Sequence, residues 1–304
     1  MKTTYPYKVV GGCELLADVH LPDGKTRPPV IVWLHGGALI AGDRGAIQKR
    51  HREAYLAAGY AVVAPDYRLA PETKLPEIAA DMRDVFAWVR ETLPGLVSVD
   101  PTRVAAIGHS AGGYLTLLAG AMLRPRLQAL VSFYGYGDVI ADWYRLPAPF
   151  YCQEPVVSEA EARAAVSQTP ICTGGDWEPR GKFYLYCRQQ GLWPQEVAGF
   201  DPETQPEAFT PYCPLRSVDA DYPPTLLLHG DQDTDVPYEQ SVLMAQELAR
   251  AGVPHEFITI VEGEHGFDHR QDAEVEAAFG RVMGFLREWL RVGGTSGNGR
   301  PENP

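Results

Sequence analysis

Residues 104–123 read VAAIGHSAGGYLTLLAGAML and contain the pattern G-x-S-x-G around Ser110. The apolar start of this stretch predicts a buried strand, and its longer apolar end predicts a helix. Gly108 and Gly112 stand on either side of the serine, where small residues let the chain pass closely in a tight turn. Such a turn exposes the Ser110 hydroxyl at a helix N-terminus, where amide groups favour negative charge. The stretch therefore predicts a strand–turn–helix unit that carries a serine nucleophile.

Short apolar runs lie on both sides of this unit and alternate with segments of helical period. The runs are residues 30–34, 60–64, 103–107, 129–134, 225–228 and 256–261. Apolar runs of this kind are typical of strands buried on both faces of a parallel sheet. The helical segments are residues 78–89, 241–250 and 275–290, and residues 7–10 and 14–20 predict a hairpin. We expect an α/β fold with a mostly parallel central sheet and helices on both faces.

Composition excludes several classes of function. The 304 residues include 39 acidic and 27 basic side chains, which gives a net charge of −12. Nucleic-acid binding needs a basic surface, so no nucleic-acid partner is expected. No secretory signal and no apolar run long enough to span a membrane occur in the sequence, so we expect a cytoplasmic protein that does not bind membranes. The five cysteines lack C-x-x-C spacing and predict reduced packing thiols, although a disulfide within residues 152–213 stays open.

The alternation of strands and helices fails between residues 138 and 215. This segment holds 12 of the chain's 31 aromatic residues and is rich in Pro and Gly. A structureless loop of that length inside a compact domain is implausible, so we expect an inserted lid or cap. Residues 1–137 and 216–292 would then form the core. Residues 293–304 are rich in Gly, Asn and Pro and predict a disordered tail.

A serine hydroxyl needs a base, and the base needs a carboxylate to orient it. His265 follows the last predicted strand, at the sheet edge where parallel folds carry reactive groups. Asp231, Asp233 and Asp235 follow the preceding strand and compete for the role of the acid. Their spacing does not continue into a calcium-binding loop, so no metal is expected. The order serine, aspartate, histidine is that of α/β-hydrolases.

Four motifs together resemble the α/β-hydrolase superfamily. They are HGGA at 35–38, DYRLAPE at 66–72, the turn at 108–112 and H-G-x-x-D-x-x-V-P at 229–237. Within the superfamily the chain looks like the esterase and lipase group, which includes hormone-sensitive-lipase-like and prolyl-oligopeptidase-like enzymes. The resemblance runs from about residue 7 to residue 291 and is weakest in the segment 138–215. It implies that Asp233 is the acid, and that Asp231 and Asp235 are turn and surface residues.

The resemblance also implies an oxyanion hole formed by the backbone amides of Gly37, Ala38 and Ala111. The family pattern is usually H-G-G-G, and Ala38 replaces the last glycine but keeps a backbone amide. His35 is expected to fix this loop. The charged residues of 66–72 are expected to tie their own loop to it.

These residues predict a serine carboxylesterase-type hydrolase that works through an acyl-enzyme. Ser110 would attack the ester carbonyl, His265 would act as the general base, and Asp233 would orient His265. No metal or organic cofactor is expected. The expected partner is a small or medium ester with apolar or aromatic groups, bound by unassigned lid residues of which Trp177 and Trp193 are suspects. A homodimer stays open.

Two alternatives remain at this point. An amide hydrolase, either a peptidase or a formamidase, would use the same three residues. The chain has no room for the large propeller domain of many related peptidases, which weighs against that reading. A non-enzymatic relative acting as a binding module is the second alternative, but such proteins usually lack the serine, the histidine or the acid.

Overall fold

The predicted strands form a single mixed sheet. The computed structural model describes residues 1–174 and 177–291. Within these residues the sheet has eight strands in the order β1-β2-β4-β3-β5-β6-β7-β8. The strands are β1 (Lys2–Val10), β2 (Cys13–His20), β3 (Pro29–Leu34), β4 (Ala61–Pro65), β5 (Asp100–His109), β6 (Ala129–Phe133), β7 (Thr225–Gly230) and β8 (His255–Ile260). The predicted tail, 293–304, lies outside the described residues.

Strand directions confirm the predicted class of fold. Strands β3 to β8 run parallel to one another. The hairpin of β1 and β2 adds an antiparallel edge to β4. In β5, Val104 and Ala106 pack on one face of the sheet, while Ala105 and Ile107 pack on the other. Because both faces are buried, the strand shows an apolar run instead of alternation.

Helices cover both faces of the sheet. They are α1 (Lys49–Ala57), α2 (Leu75–Glu91), α3 (Leu93–Leu96), α4 (Ala111–Met122), α5 (Asp142–Arg145), α6 (Glu159–Arg163), α7 (Trp177–Gln190), α8 (Trp193–Ala198), α9 (Glu239–Arg250) and α10 (Ala273–Leu290). Short 3₁₀ helices lie at Arg44–Ala46, Tyr151–Gln153, Pro206–Tyr212, Pro214–Arg216 and Phe267–His269. Helices α2, α4 and α9 contribute to one core cluster, and α1 and α10 contribute to the other. Helix α1 was not predicted because it buries only His51 and Tyr55 and so shows no apolar period.

The segment between β6 and β7 carries α5 to α8 and packs onto the sheet. Tyr144, Phe183, Trp193 and Phe209 from this segment are buried in the same core cluster as α2 and α4. The rings of Tyr144 and Trp193 stack with their centroids 3.9 Å apart. These aromatic side chains therefore serve packing first, and the division of the chain into core and lid stays a prediction.

The structure bears on the expectations for the cysteines and for membrane-spanning segments. All five cysteines are free thiols in the described structure. Along residues 1–174 and 177–291, none of the helices combines the length and the apolar character needed to cross a bilayer.

Candidate active site

The predicted turn holds Ser110 between β5 and α4 in a strained conformation. Its backbone has φ +55° and ψ −120°, which non-glycine residues rarely adopt. A Cβ at Gly108 would lie 2.0 Å from the carbonyl oxygen of Gly112, and one at Gly112 would lie 2.0 Å from that of Leu34. Only glycine fits at these positions, because the turn presses its own backbone against strand β3. The Ser110 amide donates to the carbonyl of Phe133 (2.9 Å), which ties the turn to β6.

Three of the predicted site residues meet at the carboxyl edge of the sheet. The Ser110 hydroxyl lies 3.0 Å from Nε2 of His265, and Nδ1 of His265 lies 2.7 Å from Oδ2 of Asp233. Asp233 follows β7 and His265 follows β8, so neighbouring parallel strands bring the two side chains together. The serine proton thus has a nitrogen within hydrogen-bond distance, and that imidazole has a carboxylate behind it.

Asp233 is buried and held by several donors. The amides of Asp235 and Val236 donate to its Oδ1 at 2.9 and 2.8 Å, and Nε2 of His229 lies 3.3 Å from its Oδ2. Burial alone would raise the pKa of Asp233, but hydrogen bonds from His229 and His265 outweigh it and hold this pKa well below its usual value. The carboxylate therefore stays ionised across the neutral pH range.

His265 has a pKa above its ordinary value. Burial would lower this pKa, but the negative charge of Asp235, the hydrogen bond to Asp233 and the charge of Asp268 together raise it. Nε2 of His265 lies 3.5 Å from Oδ2 of Asp235 and so faces a second carboxylate as well as the serine. The resemblance assigned Asp235 to the surface, and that assignment is wrong. The turn at Asp233 folds the chain back, so the side chain of Asp235 points toward Nε2 of His265.

The loop at 35–38 lies against the serine with strained backbone angles. Gly37 has φ +105° and Ala38 has φ +55°, so Ala38 does adopt the left-handed region expected of a glycine. A Cβ at Gly36 would lie 2.9 Å from the carbonyl of His109 and 3.3 Å from Cβ of Ser110. Among the described residues, no acceptor takes up the amide N–H of Gly37 or Ala38. These amides, with that of Ala111 at the start of α4, are free to bind an oxyanion.

Side chains from two other regions hold this loop in place. The Tyr67 hydroxyl donates to the carbonyl of His35 (2.8 Å), and the two rings stack 4.1 Å apart. The indole N–H of Trp193 donates to the carbonyl of Ala38 (3.1 Å). Burial lowers the pKa of His35 to about 4, so this side chain is neutral and acts through packing.

The charged residues of 66–72 have divided roles. Glu72 pairs with Arg180 of α7 (2.8 Å), which also donates to the carbonyl of Ile40 (2.5 Å). Arg68 instead pairs with Asp81 of α2 (2.7 Å) and does not tie its loop to residues 35–38. The expected link therefore exists through Glu72, while the expectation for Arg68 is wrong.

Cavities open beside Asp235 and beside the loop at 35–38. One of about 470 Å³ is lined by Phe150, Tyr151, Trp177, Tyr184 and Asp235, among others. A second of about 650 Å³ includes Gly36, Gly37, Asp43 and Trp177. Trp177 is 48% exposed and borders both, whereas Trp193 is fully buried. Of the two suspected tryptophans, Trp177 is therefore the one at the cleft.

A second group of polar side chains lies buried beneath the serine turn. Within the described residues, His51, His109 and Asp268 form the one group of three with a spacing that could hold a metal. The indole N–H of Trp33 donates to Nδ1 of His109 (3.1 Å), so Nε2 of His109 carries the proton and faces Oδ2 of Asp268 at 3.3 Å. A protonated nitrogen does not ligate a metal, so these contacts fit a structural hydrogen-bond network better.

The chain is similar in sequence to a known family and to several curated proteins. A family model described as alpha/beta hydrolase fold matches residues 31–269. The chain is 30% identical over 289 residues to the non-reducing polyketide synthase atr1 of Stereocaulon alpinum, covering 82% of this chain and 11% of the relative. It is 30% identical over 344 residues to the non-reducing polyketide synthase Preu3 of Preussia isomera, covering 95% and 13%. The chain thus spans only a small part of the length of these curated relatives.

Solved structures share the fold over nearly the whole chain. An alpha/beta hydrolase superfamily protein from Enterococcus faecalis superposes with a TM-score of 0.76 at 26% identity, covering 95% of this chain and 99% of that one. A thermophilic esterase from the Planctomycetes species Thermogutta terrifontis superposes with a TM-score of 0.67 at 23% identity, covering 97% and 95%. At 23% identity, the likeness to the Thermogutta terrifontis esterase shows a shared fold and no more.

Proposed function

The chain belongs to the alpha/beta hydrolase fold family, and from that premise we propose that it is a serine hydrolase of the carboxylesterase type. The observation that carries the proposal is the continuous chain of contacts from Ser110 through His265 to Asp233, at 3.0 and 2.7 Å. Such a chain is the means by which a serine hydroxyl becomes a nucleophile.

Acylation begins when Oγ of Ser110 attacks the ester carbonyl carbon and its proton passes to Nε2 of His265. The carbonyl oxygen becomes an oxyanion and accepts hydrogen bonds from the amides of Gly37, Ala38 and Ala111. The bond to the leaving oxygen then breaks. His265 gives its proton to that oxygen, and the alcohol departs.

Deacylation repeats these steps with water. His265 takes a proton from water as the water oxygen attacks the acyl-enzyme carbonyl, and it returns the proton to Oγ of Ser110 as the acid leaves. Asp233 stays ionised throughout and holds the imidazole in one orientation. All proton transfers therefore run through a single nitrogen, Nε2.

Residues 138–215 are proposed to act as the lid that selects the substrate. Phe150, Tyr151, Trp177 and Tyr184 from this segment line the same cavity as Asp235, whose Oδ2 lies 3.5 Å from Nε2 of His265. Glu154, Glu178 and Lys182 also border this cavity, but its aromatic rings favour an ester with apolar or aromatic parts.

The test compares Ser110→Ala with Ser98→Ala on a panel of p-nitrophenyl and alkyl esters. Ser98 is exposed and precedes the opposite end of β5, so it serves as a matched control. We expect Ser110→Ala to lower kcat by roughly 10⁶-fold and Ser98→Ala to leave it unchanged. Hydrolysis that survives in Ser110→Ala would refute the proposal. Faster cleavage of aminoacyl p-nitroanilides than of matched esters would instead identify an amide hydrolase.

A further inference from the structure

The two carboxylate oxygens of Asp235 have different surroundings. Oδ1 accepts hydrogen bonds from the Tyr184 hydroxyl and from Nη1 of Arg188, the latter at 2.8 Å. Nη1 of Arg188 also donates to the backbone carbonyl of Asp235 (3.0 Å). One oxygen is therefore engaged by helix α7, which fixes the orientation of the carboxylate.

The other oxygen, Oδ2, faces the reaction centre. It lies 3.5 Å from Nε2 of His265, which is longer than a normal hydrogen bond. The side chain of Asp235 keeps 19% of its surface exposed and borders the cavity of about 470 Å³. An acceptor is thus held at the wall of the cleft, beside the atom that moves the proton.

The path of that proton fixes where a leaving group must lie. Nε2 of His265 protonates the leaving oxygen, so this oxygen approaches Nε2 to about 3 Å. It then lies at most about 6.5 Å from Oδ2 of Asp235, the sum of the two separations. A hydroxyl on the second carbon of the leaving alcohol sits roughly 3 Å beyond the leaving oxygen, so it reaches Oδ2 with a normal hydrogen bond of about 2.7 Å when the leaving oxygen lies within about 5.7 Å of Oδ2.

The charge of Asp235 is already balanced on its protein side. Arg188 is 3% exposed, pairs with Asp235, and has the rings of Trp143, Tyr144 and Tyr151 around its guanidinium at 4.8 to 5.3 Å. Because Arg188 already gives this carboxylate a cationic partner, Oδ2 is better suited to a neutral donor than to a second cation.

From these contacts we propose that Asp235 is a specificity residue of this same site, which selects esters whose leaving alcohol carries a hydroxyl on the carbon next to the one that bears the scissile oxygen. The inference rests on the proposed esterase function and adds the class of leaving group. Partial esters of vicinal diols and polyols have this pattern. The apolar and aromatic walls of the cavity are left to bind the remainder of the molecule.

The experiment measures kcat/KM of the wild-type enzyme for 2-hydroxyethyl butyrate and 2-methoxyethyl butyrate. The two leaving groups have similar inductive effects, but only the first is a donor. Each rate is divided by the rate of hydroxide-catalysed hydrolysis of the same ester. We expect a corrected preference of roughly 10- to 100-fold for the hydroxyl compound, as for a hydrogen bond to a charged group. A corrected ratio within twofold of one would overturn the inference, with no variant needed.

Asp235→Asn tests whether this oxygen is the cause. Arg188 and Tyr184 donate to Oδ1, so they will hold the amide oxygen there and turn the amide NH₂ toward the position of Oδ2. The acceptor becomes a donor, and the corrected ratio should fall to about one. Glu154→Gln removes one charge from the exposed rim of the same cavity and should leave the ratio at the wild-type value. An unchanged ratio in Asp235→Asn would refute the assignment.

A pair of esters that differ only in charge distinguishes a site for a neutral hydroxyl donor from a site for a cation. Butyrylcholine and 3,3-dimethylbutyl butyrate have the same shape, and only the first is charged. A comparable corrected preference for butyrylcholine would overturn the choice of a neutral hydroxyl. Failure of this inference and failure of the proposed function are distinguishable, because hydrolysis that persists in Ser110→Ala would refute the serine mechanism whatever the ratios are.

Discussion

Two histidine–aspartate pairs lie on either side of the serine turn. In the open pair, His265 lies 2.7 Å from Asp233, and 24% of the histidine side chain is exposed. In the closed pair, His109 lies 3.3 Å from Asp268, and its side chain is 11% exposed. Both aspartates are buried and have pKa values held below the usual range, although burial alone would raise them. The same residue types thus occur twice within one site.

The second ring nitrogen distinguishes the two pairs. Nε2 of His265 accepts from the Ser110 hydroxyl and faces the cleft. Nδ1 of His109 accepts instead from the buried indole N–H of Trp33. A nitrogen engaged by tryptophan cannot take a proton from a substrate, so the closed pair is limited to holding structure. The two pairs contain the same residue types. Their roles differ because Nε2 of His265 faces the cleft and the serine, whereas Nδ1 of His109 is buried against Trp33.

Tyr134 connects the two pairs. Its hydroxyl donates to Oδ1 of Asp268 (2.5 Å), and its ring meets the His265 ring edge-on at 4.7 Å. Its backbone has φ +39°, which is unusual for a bulky residue. The closed pair therefore supports the open one through a tyrosine that sets the packing of His265.

The largest expected effect comes from removing the open histidine. In the proposed mechanism all proton transfers run through Nε2 of His265, so for His265→Ala we expect kcat for p-nitrophenyl butyrate to fall by roughly 10⁴- to 10⁶-fold. Because the side chain is partly exposed, urea unfolding should give a free energy within about 1 kcal/mol of wild type. A variant that keeps a tenth of the wild-type kcat would show that the two pairs do not differ as described.

The closed pair should respond in the opposite way. Asp268→Asn disturbs the bonds from Tyr134 and Gln48 and the contact with His109, which leaves buried donors without an acceptor. We expect the free energy of unfolding to fall by about 2–4 kcal/mol, while kcat/KM of the folded protein stays within tenfold. A loss of activity near that of His265→Ala, at unchanged stability, would contradict the division of roles.

Much of the fold was predictable because its signals are local. The strand–turn–helix stretch around Ser110 and the apolar runs indicate strands buried on both faces. Each of the six runs coincides with a strand of the sheet, and three of them extend one residue beyond it. The order of Ser110, Asp233 and His265 along the chain also pointed to the residues that meet at the sheet edge. Helix α1 escaped prediction because two buried residues make no detectable period.

The missed features depend on contacts between distant segments. Asp235 faces His265 only because amides donate to Asp233 and fold the turn back, which no periodicity reports. The one available signal was its position two residues after the predicted acid. His109 and Asp268 meet through neither a motif nor a spacing, because their contact arises from the packing of α1 and α10 beneath the serine turn.

The third expected effect is a loss of folding stability at acid pH that arises from His51, beside the closed pair. Burial lowers the pKa of His51 to about 3, against an ordinary value of 6.5. The unfolded chain then binds the proton first, so stability is lost as pH falls below 6.5. This one group should contribute a loss of about 2 kcal/mol between pH 6.5 and pH 5, at 1.36 kcal/mol per unit.

His51→Phe is the matched variant for this prediction. It keeps an aromatic ring against Phe279, on which His51 stacks at 4.4 Å, and removes the titrating group. Urea unfolding at pH 7 and pH 5 should show a smaller loss in His51→Phe than in the wild type. Equal losses in both proteins would mean that His51 is not buried in its neutral form.

The smallest effect concerns the pH dependence of the open pair. His265 must be neutral to accept the serine proton, and the carboxylates of Asp235, Asp233 and Asp268 raise its pKa. Activity should therefore rise with pH along a limb centred above pH 6.5. Asp235→Asn removes the charge that raises the pKa of His265 most, so the limb of kcat/KM should move to lower pH. Glu154→Gln, on the exposed rim of the cavity, should leave the limb in place. A limb that stays put in Asp235→Asn, or moves to higher pH, would mean that this carboxylate does not act on Nε2 and that the cleft holds only one functional aspartate.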